Sequence, residues 1–219
     1  MKKINIAIDG PSGAGKSTIS DILASKLGYI HLDTGAMYRT VAYMGLKAGL
    51  KMDDEENIVK LISTLSFKQT EDGKIICNGV DISKEIRQNE ISMAASDVSK
   101  LLGVRKALVA LQQKIAEDKG YIVDGRDICE VVLPTAEVKI FMIASAEERA
   151  KRRVLQNKEK GIEANYDDIL ADIQKRDYQD SHRENSPLRK TEDATEIDSS
   201  NLTIEETVEK IMEIVKTKL

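Results

Sequence analysis

The chain has 219 residues, enough for one α/β domain with a small insertion and a full hydrophobic core. Hydrophobic residues make up 41 % and charged residues 32 %, as in ordinary soluble globular proteins, and the net charge of −4 disfavours a surface that coats nucleic acid. No apolar run approaches the roughly 20 residues of a membrane span, and Asp9 interrupts the first apolar stretch before it reaches the length of a signal sequence. Cys77 and Cys129 lie far apart, which predicts two reduced thiols in a cytoplasmic protein.

Apolar strands alternate with amphipathic helices along most of the chain, which predicts an α/β fold with a parallel sheet flanked by helices. The predicted strands are residues 4–8, Tyr29–Leu32, Tyr121–Asp124, Val138–Ile143 and Thr195–Asp198. The predicted helices include one that ends at Gly28, one over about Val104–Glu117, and two that begin at the capping sequences Ser145-x-x-Glu148 and Thr203-x-x-Glu206.

A phosphate-binding loop follows the first predicted strand. It matches the pattern G-x-x-x-x-G-K-[ST] and consists of Gly10, Pro11, Ser12, Gly13, Ala14, Gly15, Lys16, Ser17 and Thr18. In such a loop the backbone N–H groups and the positive end of the helix dipole converge on a polyphosphate. Lys16 can then reach the β- and γ-phosphates, and the Ser17 hydroxyl can hold Mg²⁺. The sequence therefore predicts binding of a nucleoside triphosphate, in preference to a glycine-rich turn that only connects strand to helix.

The segment from Leu65 to Ile82 breaks the alternation of strands and helices. Short strand patterns at Phe67–Gln69, Lys74–Cys77 and Val80–Ile82 are separated by the turn sequences Asp72-Gly73 and Asn78-Gly79. This predicts a small antiparallel meander inserted over one edge of the site, with a surface hairpin of no function as the alternative.

The phosphate loop alone leaves three classes open, namely a kinase, a GTPase switch and an ATP-driven motor. The guanine-reading pattern [NT]-K-x-D does not occur in the sequence. A motor would need a longer chain or elements that couple it to a partner. A small kinase is therefore favoured.

Arginines follow several of the predicted elements, where their guanidinium groups can bind phosphate oxygens. They are Arg39, Arg126, the helical group of Arg149, Arg152 and Arg153, and the late pair Arg176 and Arg183. For any one of them taken alone, a solvated ion pair is the favoured interpretation. Asp124 ends a strand at the carboxyl edge of the sheet, so it is a candidate for the Mg²⁺ shell, with loop bracing or helix capping as the alternative.

The need for a general base distinguishes the possible acceptors of the phosphoryl group. A hydroxyl acceptor needs a general base, whereas a nucleoside monophosphate is mostly dianionic at neutral pH and needs only cations and positioning. His31 and His182 are not required for that chemistry, and each is interpreted as structural or as a surface residue.

Four segments together resemble the bacterial cytidylate kinases, essentially from end to end. They are residues 8–18, residues 32–39, Asp124-Gly125-Arg126-Asp127, and the late series Arg176, Asp177, Asp180, Arg183 and Ser186-Pro187-Leu188. The resemblance implies a P-loop kinase fold with a five-stranded parallel sheet, a small antiparallel β insertion and a helical lid. It also implies transfer of the γ-phosphoryl group from ATP, with Mg²⁺, to CMP or dCMP.

The resemblance also implies roles for individual residues. Lys16, Arg126, Arg153 and Arg183 are the implied catalytic cations. The implied acceptor-phosphate set is Thr34, Arg39, Arg126 and Arg183; Ser96 and Arg105 are the implied readers of cytosine; and Asp127, Arg176 and Asp180 are implied to contact the nucleoside, chiefly its sugar. Ser17 and Asp124 are the predicted metal residues. The implied lid lies near Arg149–Ile162.

We therefore expect a single domain over residues 1–219, with a core at 1–60, 100–148 and 190–219. The monophosphate-binding region is expected at about 61–99 and the lid at about 149–165. The expected protein is a cytoplasmic monomer with small-molecule substrates and neither nucleic-acid nor membrane partners. The remaining alternatives are another small P-loop kinase, acting on UMP or a shikimate-type hydroxyl, and a non-catalytic nucleotide-binding protein.

One segment departs from the family pattern. After Gly-Arg-Asp the family usually continues with an apolar residue, glycine and threonine, whereas this chain has Ile128, Cys129 and Glu130. A positive φ at Cys129 would strain its backbone. We expect an ordinary backbone there, and we expect that the Glu130 carboxylate could weaken phosphate binding if it lies nearby.

Overall fold

The structure is a computed structural model that describes residues 3–70, 73–159, 161 and 163–219. The strands are β1 (Ile6–Asp9), β2 (Ile30–Asp33), β3 (Phe67–Gln69), β4 (Ile75–Cys77), β5 (Val80–Asp81), β6 (Tyr121–Gly125), β7 (Val138–Ile143) and β8 (Thr195–Asp198). The α-helices are α1 (Lys16–Leu27), α2 (Thr34–Lys47), α3 (Glu55–Ile62), α4 (Asn89–Val98), α5 (Leu102–Ile115), α6 (Ala146–Glu159), α7 (Tyr166–His182) and α8 (Ile204–Lys216). Short helical segments lie at Glu85–Arg87 (3₁₀) and Ile128–Val132 (π).

The main sheet has five parallel strands in the order β2-β6-β1-β7-β8, which confirms the predicted parallel sheet. The central strand β1 places Ile8 opposite Asp124 of β6 on one side and opposite Ile140 of β7 on the other. The phosphate loop therefore leaves the middle of the sheet at its carboxyl edge, where open α/β sheets bind their ligands.

Two apolar layers cover the two faces of this sheet. Ile6 and Ile8 of β1 point into the layer that contains α1 and α8, whereas Ala7 between them belongs to the layer with α2, α4 and α5. This alternation follows the two-residue period of a strand, and it explains why β1 is apolar on both faces. In α8, Val208, Ile211 and Val215 are buried, which confirms that this helix serves the core.

The predicted meander is present as a three-stranded antiparallel sheet, β3-β4-β5. Its turn at Asn78-Gly79 has positive φ at both residues, as a tight hairpin requires, whereas Asp72 of the other predicted turn lies outside the described residues. Ile75 and Cys77 are buried in the main core, and Lys74 lines the large cleft of the protein. The meander is thus an integral part of the fold and not a surface ornament.

Several boundaries differ from the predicted ones for identifiable reasons. β1 begins at Ile6 and not at Ile4, because the N–H of Ile4 donates to the Tyr29 hydroxyl and that of Asn5 to the Glu137 carboxylate. Helix α5 begins at Leu102, two residues early, because the N–H of Arg105 already bonds to the carbonyl of Leu101.

The two predicted helix caps have different outcomes. At Thr203 the complete capping box with Glu206 is present. At Ser145 only half of it forms: the Ser145 hydroxyl accepts the N–H of Glu148, whose carboxylate pairs with Lys151 instead. Among the described helices, none is both long and apolar enough to cross a membrane.

Candidate active site

A large cleft of about 1530 Å³ runs along the carboxyl edge of the main sheet. Its volume exceeds the roughly 300–1,000 Å³ of a pocket for one small molecule, so it has room for two nucleotides. The cleft is lined by the phosphate loop, the start of α2, the insertion with α4, the segment after β6, and helices α6 and α7.

The phosphate loop connects β1 to α1 through glycines that no other residue could replace without strain. Gly10, Gly13 and Gly15 all have φ values between 80° and 150°. At Gly10 a Cβ atom would lie 2.0 Å from the backbone oxygen of Met142, so the loop passes too close to β7 for any side chain. Gly15 is the left-handed N-cap of α1, and it directs the first N–H groups of the helix towards the cleft.

Lys16 is buried and folded back onto its own loop. Its Nζ donates to the carbonyl oxygens of Gly10 and Pro11 at 2.7 and 2.8 Å. Burial, with help from the charge of Arg126, lowers the pKa of Lys16 to about 7. A bound polyphosphate would supply the anionic partner that this ammonium group has only in part from Asp124 and Asp9.

Asp124 and Ser17, the predicted metal residues, are in contact. The Ser17 hydroxyl donates to Oδ2 of Asp124 at 3.1 Å, at the junction of β6 with the start of α1. The second carboxylate oxygen, Oδ1, lies 2.6 Å from Nε2 of His31. Burial works against the charge of Asp124, but the hydrogen bond and charge of His31 hold its pKa below the ordinary value.

These donors fit a magnesium ion that also binds substrate phosphates. Mg²⁺ takes oxygen ligands and is commonly held by one or two carboxylates together with phosphates and water. Asp124 and Ser17 offer that kind of partial shell. Over the described residues, no group of three or more His, Cys, Asp or Glu side chains forms a self-sufficient metal site.

His31 is the residue whose importance the sequence interpretation missed. It lies in β2, is 7 % exposed, and bridges Asp21 and Asp124 with 2.6 Å contacts at its two ring nitrogens. Burial alone would lower the pKa of His31, but the two carboxylates raise it to about 10. The interpretation of His31 as structural holds in that it is buried and paired. A titratable residue within a predicted buried parallel strand was the signal available in the sequence.

A group of arginines converges on the other half of the cleft. Buried guanidinium nitrogens without a hydrogen-bond partner among the described residues include Nε of Arg39, Nε of Arg176 and Nη2 of Arg183. Burial lowers the pKa of Arg176 to about 10, and the neighbouring charges of Arg126, Arg39 and Arg153 act in the same direction. A bound polyanion would relieve this mutual repulsion, so the arginine group is suited to bind one.

Each predicted acceptor-phosphate residue is held in place by a neighbouring carboxylate or backbone carbonyl. Arg126 Nε donates to Asp180 at 2.8 Å, Arg39 pairs with Asp33 at 2.9 Å, and Arg183 donates to the Ser186 carbonyl at 2.6 Å. The Thr34 hydroxyl donates to the backbone oxygen of Asp124 at 2.7 Å. All of the predicted acceptor-phosphate residues and all of the predicted nucleoside contacts line this cleft.

The two predicted base readers, Ser96 of α4 and Arg105 of α5, both line the cleft. Arg105 is 4 % exposed, pairs with the buried Asp127 and lies over the ring of Tyr38, 5.9 Å from its centroid. Arg105 thus forms a buried ion pair and not a surface one, and one nitrogen of its guanidinium group already binds Asp127.

Helix α6 carries three arginines with different surroundings. Arg149 is buried, binds both carboxylate oxygens of Asp177 in α7 and donates to the carbonyl of Ser12 in the phosphate loop. Arg152 donates to the Ser199 carbonyl, and Arg153 lines the cleft. Ile162, the end of the implied lid, lies outside the described residues.

The departure at Cys129 and Glu130 is accommodated without strain. The described residues other than glycine that have positive φ are Asn78, Lys119 and Ser186, so the expectation of an ordinary backbone at Cys129 is confirmed. The Glu130 carboxylate pairs with Arg189 and is not part of the cleft lining, so it does not face the phosphate-binding residues. The expected weakening of phosphate binding by Glu130 therefore has no structural basis.

A sequence model of the family described as cytidylate kinase matches residues 6–217. The chain belongs to this family. It is 54 % identical over 217 residues to a cytidylate kinase of Caldicellulosiruptor bescii, covering 98 % of this chain and 96 % of that one. It is 48 % identical over 220 residues to the cytidylate kinase of Bacillus subtilis, covering 99 % and 98 %.

Solved structures extend the comparison to the fold. A gluconokinase from Sinorhizobium meliloti superposes with a TM-score of 0.51 at 14 % identity, covering 99 % of this chain and 94 % of that chain. At that identity the likeness concerns the fold alone. The predicted P-loop kinase fold is confirmed.

Proposed function

We propose that this member of the cytidylate kinase family transfers the γ-phosphoryl group of ATP to CMP or dCMP, giving ADP and CDP or dCDP. The bond from the γ-phosphorus to the β–γ bridging oxygen breaks, and a phosphate oxygen of the monophosphate forms the new bond. One observation carries the choice of acceptor: buried guanidinium groups, with N–H donors that no described residue accepts, meet the phosphate loop in one cleft.

The free donors argue for an anionic acceptor. A buried donor without a partner costs about 1–3 kcal/mol, so Arg39, Arg176 and Arg183 together favour a ligand rich in acceptor oxygens. A phosphate monoester offers three such oxygens, and guanidinium forks bind them in a fixed geometry. This supports Arg39 and Arg183 as acceptor-phosphate residues, and Arg126, which lines the same cleft, is proposed as the third arginine of that set.

The carboxylates of the same region argue against a hydroxyl acceptor. Asp33, Asp127 and Asp180 are paired with Arg39, Arg105 and Arg126, and Asp124 is paired with His31. A carboxylate held by a cation is a poor general base, which a hydroxyl acceptor would need. A monophosphate needs none, because it is already mostly dianionic at neutral pH. These pairings favour CMP over a shikimate-type substrate.

The proposed mechanism relies on position and charge. The loop N–H groups and Lys16 hold the donor phosphates, while Arg126, Arg153 and Arg183 neutralise charge that develops on the transferred group. Ser17 and Asp124 would hold a magnesium ion, which when bound neutralises charge on the β- and γ-oxygens. Ser96 and Arg105 are proposed to read cytosine, and Asp127, Arg176 and Asp180 to contact the nucleoside.

The remaining expectations are part of the same proposal. The lid is assigned to about residues 149–165, the monophosphate-binding region to about 61–99, and the core to 1–60, 100–148 and 190–219. The protein is proposed to act as a cytoplasmic monomer on small molecules, without nucleic-acid or membrane partners. Cys77 and Cys129 are free, buried thiols, which fits a reducing compartment.

The proposed function is tested by the release of ADP from ATP and Mg²⁺ with CMP, dCMP, UMP, AMP, GMP and shikimate in turn. The expected result is the highest kcat/KM with CMP or dCMP. A preference for shikimate would overturn the assignment of the acceptor. Single-turnover phosphoryl transfer separates a slow kinase from a non-catalytic binding protein, because only the kinase forms labelled CDP from γ-labelled ATP.

A further inference from the structure

His31 joins an exposed carboxylate to a buried one. Its Nδ1 lies 2.6 Å from Oδ1 of Asp21, whose side chain is 58 % exposed, and its Nε2 lies 2.6 Å from Oδ1 of Asp124, whose side chain is 5 % exposed. Both partners are oxygen acceptors, so each ring nitrogen donates. The ring is thereby fixed at both ends.

This contact fixes the orientation of the Asp124 carboxylate. With Oδ1 engaged by His31, the other oxygen, Oδ2, faces the Ser17 hydroxyl at 3.1 Å. The register of the strands fixes where His31 lies relative to Asp124: in the pairing of β2 with β6, His31 stands opposite Ile122, and Asp33 stands opposite Asp124. Without a donor at Nε2, the Asp124 carboxylate could rotate and Oδ1 would be buried without a partner.

We propose that His31 is a positioning residue that holds Asp124 in the orientation that binds the nucleotide-associated magnesium ion. The inner contact with Asp124 carries this role, and the outer contact with Asp21 fixes the ring. The inference rests on the proposed kinase function only through the assignment of Asp124 to the metal. Partners that orient a metal-binding carboxylate typically contribute about 10- to 100-fold to metal affinity or activity.

Two conservative substitutions separate the two contacts of the ring. A glutamine amide reaches about as far as Nε2, so His31→Gln keeps a donor towards Asp124. An asparagine amide reaches about as far as Nδ1, so His31→Asn keeps a donor towards Asp21 and loses the inner one. Both variants replace the imidazole ring by an uncharged amide, so any effect of losing the ring or its charge is the same in both. His182→Gln is the matched surface control, because His182 is exposed at the end of α7.

The measurement is calorimetric binding of a non-hydrolysable ATP analogue with and without Mg²⁺. In the wild-type protein we expect Mg²⁺ to strengthen binding of the analogue, because the metal would contact Asp124 and Ser17 of the protein as well as the phosphates of the analogue. We expect His31→Asn to weaken binding of the Mg²⁺ complex by about 10- to 100-fold while binding of the metal-free analogue stays within about threefold. His31→Gln should recover most of the loss, and His182→Gln should match the wild type. Equal values for His31→Gln and His31→Asn, whether both normal or both reduced, would overturn the proposal.

A second measurement needs no folded variant at position 31. The chain has only two histidines, so the imidazole ¹⁵N signals can be assigned with His182→Gln. Addition of Mg²⁺ to the analogue complex should shift the Nε2 signal of His31 more than its Nδ1 signal. Unchanged His31 signals contradict the proposal. Neither measurement requires turnover, so a negative result would reject the role of His31 without rejecting the kinase function. The kinase function is tested separately, by ADP release with the series of acceptors.

Discussion

The backbone N–H of Cys129 donates a 2.8 Å hydrogen bond to Oδ2 of Asp9, and the N–H of Ile128 donates an equally short one to Oδ1. Asp9 is the last residue of β1, directly before the phosphate loop. Residues 128 and 129 directly follow Arg126 and Asp127 in the sequence. One buried carboxylate therefore ties the phosphate loop to the segment that carries the proposed acceptor contacts.

This geometry predicts the effect of Asp9→Asn. The amide has one acceptor oxygen, so its NH₂ group must face one of the two backbone N–H donors, which stays buried and unpaired. We expect the free energy of unfolding to fall by about 1–3 kcal/mol. Urea denaturation measures this change in the free energy of unfolding, provided that the m-value stays the same as in the wild type. Asp118→Asn is the exposed control, and it should stay within about 0.5 kcal/mol of the wild type. Equal stability of both variants would show that the Asp9 contacts are unimportant.

The ordinary backbone at Cys129 leads to a second prediction. Its side chain is buried, and Sγ lies 3.7 Å from the backbone oxygens of Ala7 and Ile140. Cys129→Gly removes these contacts and adds backbone freedom, whose cost alone is about 0.4–1 kcal/mol. We expect Cys129→Gly to be less stable than Cys129→Ala, and Cys129→Ala to be less stable than the wild type. A glycine variant more stable than the wild type would contradict the negative φ at this position.

The parts of the fold that the sequence predicted are those that local signals specify. The phosphate loop, the tight turn at Asn78-Gly79 and the capping box at Thr203 each depend on residues within a few positions of one another. The bridge between His31 and Asp124 could not be predicted in this way. It joins residues 93 positions apart, and it exists only because β2 and β6 pair in one particular register.

The same limit applies to the candidate site. Family resemblance placed Arg105 and Asp127 in separate roles, the base reader and the nucleoside contact. The structure shows that they form one buried ion pair, formed where α5 packs beside the segment after β6. Spacing in the sequence carries no information about such a contact, because it depends on how the helix packs on the sheet.

The pairing of Asp180 with Arg126 predicts a dependence of stability on pH. Burial works to raise the pKa of Asp180, but the charge and hydrogen bond of Arg126 hold it below the ordinary 3.8. A carboxyl whose pKa is lowered in the folded state stabilises that state above its unfolded pKa, and the contribution is lost as the pH falls through the folded pKa. The stability difference between the wild type and Asp180→Asn should thus be full above about pH 5 and shrink below about pH 4. Denaturation at a series of pH values tests this, with Asp118→Asn as control. A difference that is constant with pH would exclude an ionised Asp180 as the source.

Ser96 gives a prediction about base choice. Cytosine presents an amine donor where uracil presents an acceptor, and the Ser96 hydroxyl can accept from that amine. A buried group left unpaired by the wrong base costs about 1–3 kcal/mol, enough for a roughly ten- to hundredfold preference. We expect Ser96→Ala to lower kcat/KM for CMP more than for UMP and to leave the KM for ATP within about threefold. Arg105→Met should lower kcat/KM for CMP more than for UMP as well, and it should also reduce stability because it leaves Asp127 buried without its partner. Equal losses for the two nucleotides in Ser96→Ala would remove Ser96 from base recognition.

The last prediction concerns Lys16. In the structure its Nζ donates to two carbonyl oxygens of its own loop, which hold the ammonium group at the phosphate loop. Lys16→Met keeps most of the bulk of the stem and removes the cation that would accompany the transferred phosphoryl group. Electrostatic stabilisation of this kind is commonly worth about 3–4 kcal/mol, so kcat should fall by about 10²–10³-fold.

Because Lys16 is buried and its ammonium group satisfies the two carbonyls, folding of the variant must be verified by thermal denaturation before its kinetics are compared. Lys26→Met is the matched control: Lys26 is exposed on the last turn of α1 and is not among the residues that line the cleft, so this variant should keep kcat within about twofold. A folded Lys16→Met enzyme with near-normal kcat would show that Lys16 does not stabilise the transition state.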